Sequence, residues 1–311
     1  MIVRWGLDAL PEVCAEAAVT EPLLVASPRW QVPIDAHARW SEVPSHRIDE
    51  AAAQAGQGVV ALGGGSAIDL GKAISEAAGV PLVSVPTTYS GAEWTTYYGV
   101  RDPDRKMRGG GTGADPRGIV YDVDLTLDLP REPTVGTAMN ALAHCAEALY
   151  VRGHNGLADA HAVAGTTLIA KALPRVVAEP HDREARTDLL RGASHGGAAL
   201  AGSGLALAHA LAQAIGGRYG LPHGTLNGIC LPPVLAWNEQ WAPEAVAEFN
   251  ELAGDVSALA ALGGPTRLGE LGVPREDLPE LAEAAAGRPG NQANPRPATP
   301  AEIEELLLSV W

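Results

Sequence analysis

Phenylalanine is nearly missing from this chain: there is one, beside seven Trp and six Tyr. The core must therefore be built from Leu, Val, Ile and Ala, and the many Ala favour helices. Cysteine is scarce as well. Cys14, Cys145 and Cys230 are odd in number and far apart, with no Cys-x-x-Cys pair. That spacing excludes a disulfide framework or zinc knuckle and leaves three reduced thiols. Basic residues number 22 against 37 acidic ones, for a net charge of −15. Such a surface excludes nucleic acid and anionic membranes as expected partners, but not a small anionic ligand held by a local field. No apolar run approaches the ~18 residues of a membrane span. The first residues, MIVRWGLDAL, lack the basic head and apolar run of a signal peptide. No repeat of roughly 20–50 residues is visible, which excludes a solenoid. A soluble, cytoplasmic protein is the expectation.

What is present is an ordinary globular composition, 46% hydrophobic and 19% charged, in 311 residues. At about 150 residues per domain this suggests two domains. The first part alternates short apolar runs with helical patterns. Strands are expected at Ile2–Trp5, Pro22–Ala26, Trp40–Val43, Gly58–Leu62, Pro81–Val85 and Ile119–Tyr121. Helices are expected at Leu7–Ala18, Asp49–Ala55 and Ala67–Ala78. Uninterrupted runs such as PLLVA and GVVAL suit a parallel sheet covered on both faces. Arg101–Gly118, with Gly109-Gly110-Gly111, reads as a flexible loop or hairpin tip. From about Pro133 the pattern is helical, with helices expected at Thr137–Val151, Leu157–Leu173, Glu184–Leu200, Ser203–Ile215, Gly228–Trp237, Ala242–Leu252 and Asp277–Ala285. A last helix, Pro300–Val310, opens with a Thr299/Glu302 capping box. The expected domains are 1–131 and 132–311, an α/β dinucleotide-binding domain and an all-helical catalytic domain.

Four segments carry candidate chemistry. In GVVALGGGSAIDLGKAIS a buried strand runs into Gly63, Gly64 and Gly65, and Ser66 opens a helix. Glycines let backbone approach a bulky anion, and a helix start offers N–H donors and a positive dipole end. Together these suit a pyrophosphate. A plain βα turn closed by a Ser66/Asp69 capping box is the bland alternative. The spacing is not GxGxxG, so no standard Rossmann fingerprint is claimed. In VPTTYSGAEWTTYYGV, Thr87 and Thr88 fall on the same carboxyl edge of the sheet, where open α/β sheets bind ligands. In GTAMNALAHCAEALY, Asn140 and His144 are four apart on one helix face. In GLALAHALAQAIGGRYGLPHGTLNG, His209 and Gln213 are again four apart, with His223 in the loop beyond. Single histidines on apolar helices are most often bonded core residues, but three in two such segments can line one cavity.

The pieces GGGSAIDLGKAIS, VPTTYSGAE, YDVDLTLDLP, MNALAHCAEALY, LPHGTLNG and ANPRPATPAEIEELL, in that order, resemble the iron-containing (group III) alcohol dehydrogenase superfamily, and within it the maleylacetate reductase branch. The likeness spans nearly the whole chain. It implies a Rossmann-like parallel-sheet domain followed by an all-helical one, the dehydroquinate synthase-like architecture. By position, it implies that Gly63, Gly64, Gly65 and Ser66 hold the pyrophosphate and that Asp69, Thr87, Thr88, Thr95 and Lys106 lie on the cofactor side. Metal-dependent members use one Asp and three His, and those positions hold Asn140, His144, Gln213 and His223 here. Two carboxamides and no anionic ligand make a poor site for a divalent transition metal, so none is expected. The branch shares the Asn but usually keeps the third His, and Gln213 departs from it. The chain is also shortened between SPRW and WSEVP, where the family typically has a further helix. Past the strand Pro22–Ala26 lie Ser27 and Arg29, with no acid to meet a ribose 2′-hydroxyl, whereas Arg29 suits a 2′-phosphate. The cofactor is therefore NADP or NAD.

The leading reading is a metal-independent NAD(P)H-dependent reductase of a carbonyl or activated alkene in a small substrate, carboxylated or not. His144, His209 and His223 are its candidate proton donors or hydrogen bonders, Asn140 and Gln213 orient substrate oxygens, and Tyr89 and Trp94 wall the pocket. A homodimer is expected. The alternatives are a lyase, cyclase or isomerase on the same scaffold, a metal-dependent alcohol dehydrogenase, and a non-catalytic dinucleotide sensor.

Overall fold

The computed structural model describes residues 1–311. The chain forms two compact units, Met1–Leu127 and Asp128–Trp311. In the first, the elements run β1 (Ile2–Trp5), α1 (Leu10–Glu16), β2 (Thr20–Val25), β3 (Ala38–Trp40), α2 (Ile48–Ala52), β4 (Gly56–Gln57), β5 (Val59–Gly63), α3 (Gly65–Ala78), β6 (Leu82–Pro86), β7 (Tyr98–Arg101), β8 (Met107–Gly111) and β9 (Pro116–Tyr121). The main sheet has the order β1-β9-β6-β5-β2-β3, all parallel, with the short β4 antiparallel to β2.

Strand alternation divides the core. Leu24, Val60, Leu62, Val83, Val85 and Val120 point to one face, with Leu10, Val13 and Cys14 of α1. Leu23, Val25, Val59, Ala61 and Leu82 point to the other, with Leu70 and Ile74 of α3. Both faces are covered, as uninterrupted apolar strands require. Between β2 and β3 no helix forms. The irregular segment instead lays Trp30, Val32, Ile34 and Ala36 against the α1 face of the core, every second residue inward. Period-2 alternation thus covers sheet surface without a helix.

Several sequence expectations need adjustment. The first helix is split: Leu7–Ala9 is a 3-10 turn, and the α-helix follows from Leu10 with Pro11 in its first turn. The strand expected at Trp40–Val43 lies earlier, at Ala38–Trp40, where Leu23–Val25 of β2 pairs with it. Of the loop or hairpin expected at Arg101–Gly118, the hairpin is what forms. Its glycines 109–111 lie within β8, which pairs with β7 as an antiparallel hairpin.

The second unit is wholly helical: α4 (Arg131–Tyr150), α5 (Gly156–Ala178), α6 (Arg183–Ser203), α7 (Leu207–Tyr219), α8 (His223–Asn238), α9 (Pro243–Ala253), α10 (Val256–Ala261), α11 (Leu278–Ala286), α12 (Pro289–Ala293) and α13 (Pro300–Ser309). Almost every residue of α4 from Thr134 to Tyr150 is buried, and α5, α6, α7 and α8 all pack on it. The helix expected at Ser203–Ile215 starts at Leu207 instead, since Gly204 ends α6. His223 is the first residue of α8 rather than part of a loop. The capping box on α13 is present, Thr299 Oγ1 accepting from Glu302 N and Glu302 from Thr299 N. No single helix is long and apolar enough to cross a membrane. All three cysteines are free and buried, and burial pushes the Cys14 thiol up to about 11 and Cys145 and Cys230 up to about 12.

The seat of α3 decides where the glycine turn lies. A Cβ on Gly71 would stand 2.6 Å from the Ala61 Cβ, on the strand beneath it. That methyl is fixed to backbone and cannot swing aside. Gly71→Ala gains up to about 1 kcal/mol of helix propensity but overpacks the core by about 1–3 kcal/mol. We expect net destabilisation, read as a lower midpoint in urea unfolding at unchanged slope.

Candidate functional site

At the carboxyl end of β5, Gly63 has φ 154°, where a side chain would be strained. Gly64 then caps α3, and no side chain closes that end, so the Ser66/Asp69 capping box is not formed. Helix starts carry N–H groups without intrahelical partners. The loop after β6 lies close by. Thr87 N donates to Gly63 O at 2.9 Å, and a Cβ on Gly64 would come within 3.0 Å of the Thr88 methyl. The Thr88 hydroxyl is buried with no protein partner. An orphaned hydroxyl beside a bare helix start is a cradle for an anionic oxygen. These features fit a dinucleotide phosphate.

Other cofactor-side residues sit differently. Ser66 and Asp69 line a small cleft with Pro44, Ser45, Leu70 and Gly99–Arg101. The Asp69 carboxylate accepts from Gly99 N at 3.3 Å and lies 3.5 Å from Lys72 Nζ. Burial pushes Asp69 up, while Lys72 is pushed down by the same cause. Thr95 Oγ1 is 2.8 Å from Lys72 Nζ. Asp69 and Thr95 therefore serve the buried Lys72, tying the α3 helix to the β7–β8 hairpin. Lys106 is exposed at the hairpin turn, and Ser27 lies just past β2. Arg29 is exposed with its guanidinium over the Trp30 ring. Tyr89 is fully buried, and Trp94 Nε1 donates to the Tyr121 hydroxyl at 2.8 Å.

In the helical unit one carboxylate organises the polar residues. Glu147 lies three residues beyond His144 and seven beyond Asn140, on the same face of α4. It is fully buried. Its oxygens accept from Ala206 N at 2.7 Å, His209 N at 3.1 Å and His209 Nδ1 at 2.8 Å. It thus satisfies the start of α7, where the helix dipole favours an anion, and fixes the His209 ring. His209 Nε2 is 3.3 Å from Asn140 Oδ1, which also accepts from Asn227 Nδ2 at 2.6 Å. Asn227 Nδ2 lies 3.1 Å from His223 Nε2. The His144 ring stacks on His209 at 4.7 Å, and His223 lies 5.5 Å from His209, tilted. The three histidines and Asn140 expected from the sequence do come together. Gly224 makes this possible at His223: a Cβ there would lie 2.2 Å from Gly136 O, so only glycine lets the start of α8 lie against α4.

Asn140 Nδ2 faces His144 Nε2 at 3.4 Å. With the amide as donor, a neutral His144 carries its proton on Nδ1, and that nitrogen is buried with no protein partner. Burial, and secondarily the nearby His209 and His223, hold the His144 pKa well below the usual imidazole value. Gln213 is one turn along α7 from His209, and Arg288 Nη1 donates to its Oε1 at 3.3 Å. Glu147, Asn227 and Arg288 were not singled out from sequence. Glu147 carried a usable signal in its spacing from Asn140 and His144. Asn227 had a weaker one, four residues after His223, and Arg288 had none.

The donor set is a poor match for a transition metal. The Asn140 oxygen already accepts from an amide, and the Gln213 oxygen faces a guanidinium. No group of three or more His, Cys, Asp or Glu is arranged to hold an ion.

An α/β unit with a glycine turn at its sheet edge, joined to a helical unit with a histidine cluster, has the architecture of a group III dehydrogenase. The family model for iron-containing alcohol dehydrogenase matches residues 34–122, and that for the C-terminal part of the Fe-containing alcohol dehydrogenase family matches 134–311. The chain is 38% identical over 260 residues to maleylacetate reductase 1 of Cupriavidus pinatubonensis, covering 81% of this chain and 73% of that one. It is 40% identical over 255 residues to the maleylacetate reductase of Burkholderia cepacia, covering 80% and 72%. The crystal structure of maleylacetate reductase from Rhizobium sp. strain MTP-10005 superposes with a TM-score of 0.88 at 33% identity, over 100% of this chain and 95% of that one. The chain belongs to the iron-containing alcohol dehydrogenase family, and it is an NAD(P)-dependent oxidoreductase.

Because His144 stays neutral in the fold, it resists a proton that the unfolded chain accepts. Its contribution to stability is therefore full above about pH 6.5, the ordinary imidazole value, and is lost as pH falls below it. The slope is at most about 1.4 kcal/mol per pH unit for one proton. The melting temperature of His144→Gln should fall less steeply than wild type between about pH 7 and pH 5. Parallel curves for the two proteins would contradict this.

Proposed function

We propose that this protein is a metal-independent NAD(P)H-dependent reductase that acts on a carbonyl or activated alkene of a small, carboxylated substrate, in the manner of the maleylacetate reductases it resembles. The observation that carries the reading is the unpartnered Nδ1 of a neutral His144, inside a histidine and carboxamide cluster with occupied ligand oxygens.

Gly63, Gly64, Gly65 and Ser66 hold the pyrophosphate, with Thr88 as the hydroxyl donor. Arg29 meets a 2′-phosphate when the cofactor is NADPH, and NADH is the alternative. A nicotinamide held there would supply hydride to an electrophilic carbon, leaving negative charge on the substrate oxygen. His144 Nδ1–H donates to that oxygen, where a positioned donor lowers the barrier most. His209, its orientation fixed by Glu147, and His223, set against Asn227, complete the polar lining. Asn140 orients His144. A proton must reach the product for every hydride transferred, and the histidine cluster is its route.

His144→Ala and His223→Ala should each abolish oxidation of NADPH by substrate, followed by nicotinamide absorbance, while leaving dinucleotide binding intact by titration. Rates like wild type in both variants would remove these residues from the reaction. Purified protein should contain less than one equivalent of iron or zinc, and added Fe²⁺ or Zn²⁺ should not raise turnover. Stoichiometric metal that activity requires would reverse the metal-independent part of the reading.

A further inference from the structure

Two arginines of this part of the chain are paired with acids, and Arg288 is not. Arg296 is paired with Glu302, and Arg218 with Asp277 and Glu280. Arg288 is partly buried and has no carboxylate partner, although the chain holds 37 acids. Burial lowers its pKa, and no acid offsets that effect. A guanidinium kept half out of water without a counter-ion is costly unless a ligand supplies the missing charge.

Its position is well defined. Arg288 N donates to Ala285 O at 3.0 Å at the end of α11. Its Nη1 reaches Gln213 Oε1 at 3.3 Å and its Nη2 reaches Gln213 O at 3.2 Å, so the head lies along α7. Gln213 is one helical turn from His209, a separation of roughly 6 Å along one helix face. Two of the five guanidinium N–H groups are thus engaged. The Nε–H is buried without a partner. Nε–H and a neighbouring Nη–H form the side-on fork that accepts a carboxylate in two parallel hydrogen bonds.

We propose that Arg288 is the residue that binds the substrate carboxylate, with Gln213 holding its guanidinium in place, and so selects oxo acids over neutral carbonyl compounds. The assignment rests on the reductase reading above and adds the residue that sets its substrate class. At the position where the resemblance puts a third metal-binding histidine, the chain offers a glutamine that steers a guanidinium. A cation is still presented there, but a fixed organic one that attracts the substrate's anionic end. The carbonyl then lies toward His209 and His144, one turn away.

The test uses the full-length protein with Arg288→Met and Arg288→Lys. Two readouts keep this inference separate from the reductase reading. The first is activity: NADPH oxidation with maleylacetate and with levulinate, each compared with its methyl ester. Losing a charge-assisted fork of this kind costs about 10- to 100-fold in affinity. The acid-over-ester preference should fall by that factor in Arg288→Met, mainly through KM, with Arg288→Lys between it and wild type. The second readout needs no turnover: protection of the folded protein against thermal unfolding by maleate, measured without dinucleotide so that its alkene cannot be reduced. Maleate should raise the melting temperature of wild type and not of Arg288→Met, whose unliganded melting temperature is close to wild type. Equal maleate protection of wild type and Arg288→Met, no protection of wild type, or an unchanged acid-over-ester preference overturns the proposal. If wild type oxidises no NADPH with any of these compounds, the reductase reading fails, and maleate protection still decides whether Arg288 is an anion site.

Discussion

The carboxylate of Glu147 is the interaction on which the helical unit's polar interior depends. Taking an ion out of water costs several kcal/mol, and its partners must offset that cost. Here three donors do so, two from the first turn of α7 and one from the His209 ring. The helix start also places its positive end at the acid. The bond network therefore settles two matters together. It gives α7 a beginning where no Ser, Thr, Asp or Asn is available as a cap, since its cap residue is Ala206. It also fixes which ring nitrogen of His209 faces Asn140. Everything further along α7, including Gln213 and the guanidinium it steers, follows from where that helix begins.

The first unit solves a different problem, the close approach of two loops at the carboxyl edge of its sheet. Side chains are withheld where they would intrude. Gly63 adopts a φ that other residues resist, and Gly64 lets the Thr88 side chain come against the turn. The buried Lys72 holds the surrounding pieces together through Thr95, the Tyr97 carbonyl and Asp69. Where the chain is short, between β2 and β3, four alternating residues from Trp30 to Ala36 close the sheet face. The fold is retained because covering apolar surface is non-directional, and an irregular segment can do it as well as a helix.

Most of the architecture was legible in the residues. Apolar runs without alternation marked the buried parallel strands, and Ala/Leu-rich stretches marked the helices, because burial sets the period of each element. Ends were less legible. Ser203 looked like a helix start but ends α6, and His223 looked like loop but opens α8, since helix limits depend on partners in other segments. The Gly109–Gly111 run read as a loop or a hairpin tip, and pairing with β7 makes it a strand of a hairpin. At the site, the spacing of Asn140 and His144 and of His209 and Gln213 put each pair on one helix face, which backbone geometry alone requires.

The sequence by itself determined the order of the elements, the apolar faces they bury, the glycine turn at the carboxyl edge of β5, and the helix faces that pair Asn140 with His144 and His209 with Gln213. These are local properties, fixed by side-chain type and by periods of two and 3.6 residues. Only the tertiary structure decided which polar groups meet. Glu147 and His209 are 62 residues apart, Asn140 and Asn227 87, and Gln213 and Arg288 75. Hydrogen bonds are directional and act over about 3 Å. No periodicity encodes such pairs; they exist because helix packing brings distant segments to that distance. The orphan ring nitrogen of His144 and the guanidinium of Arg288, which has no acid beside it, are products of that packing.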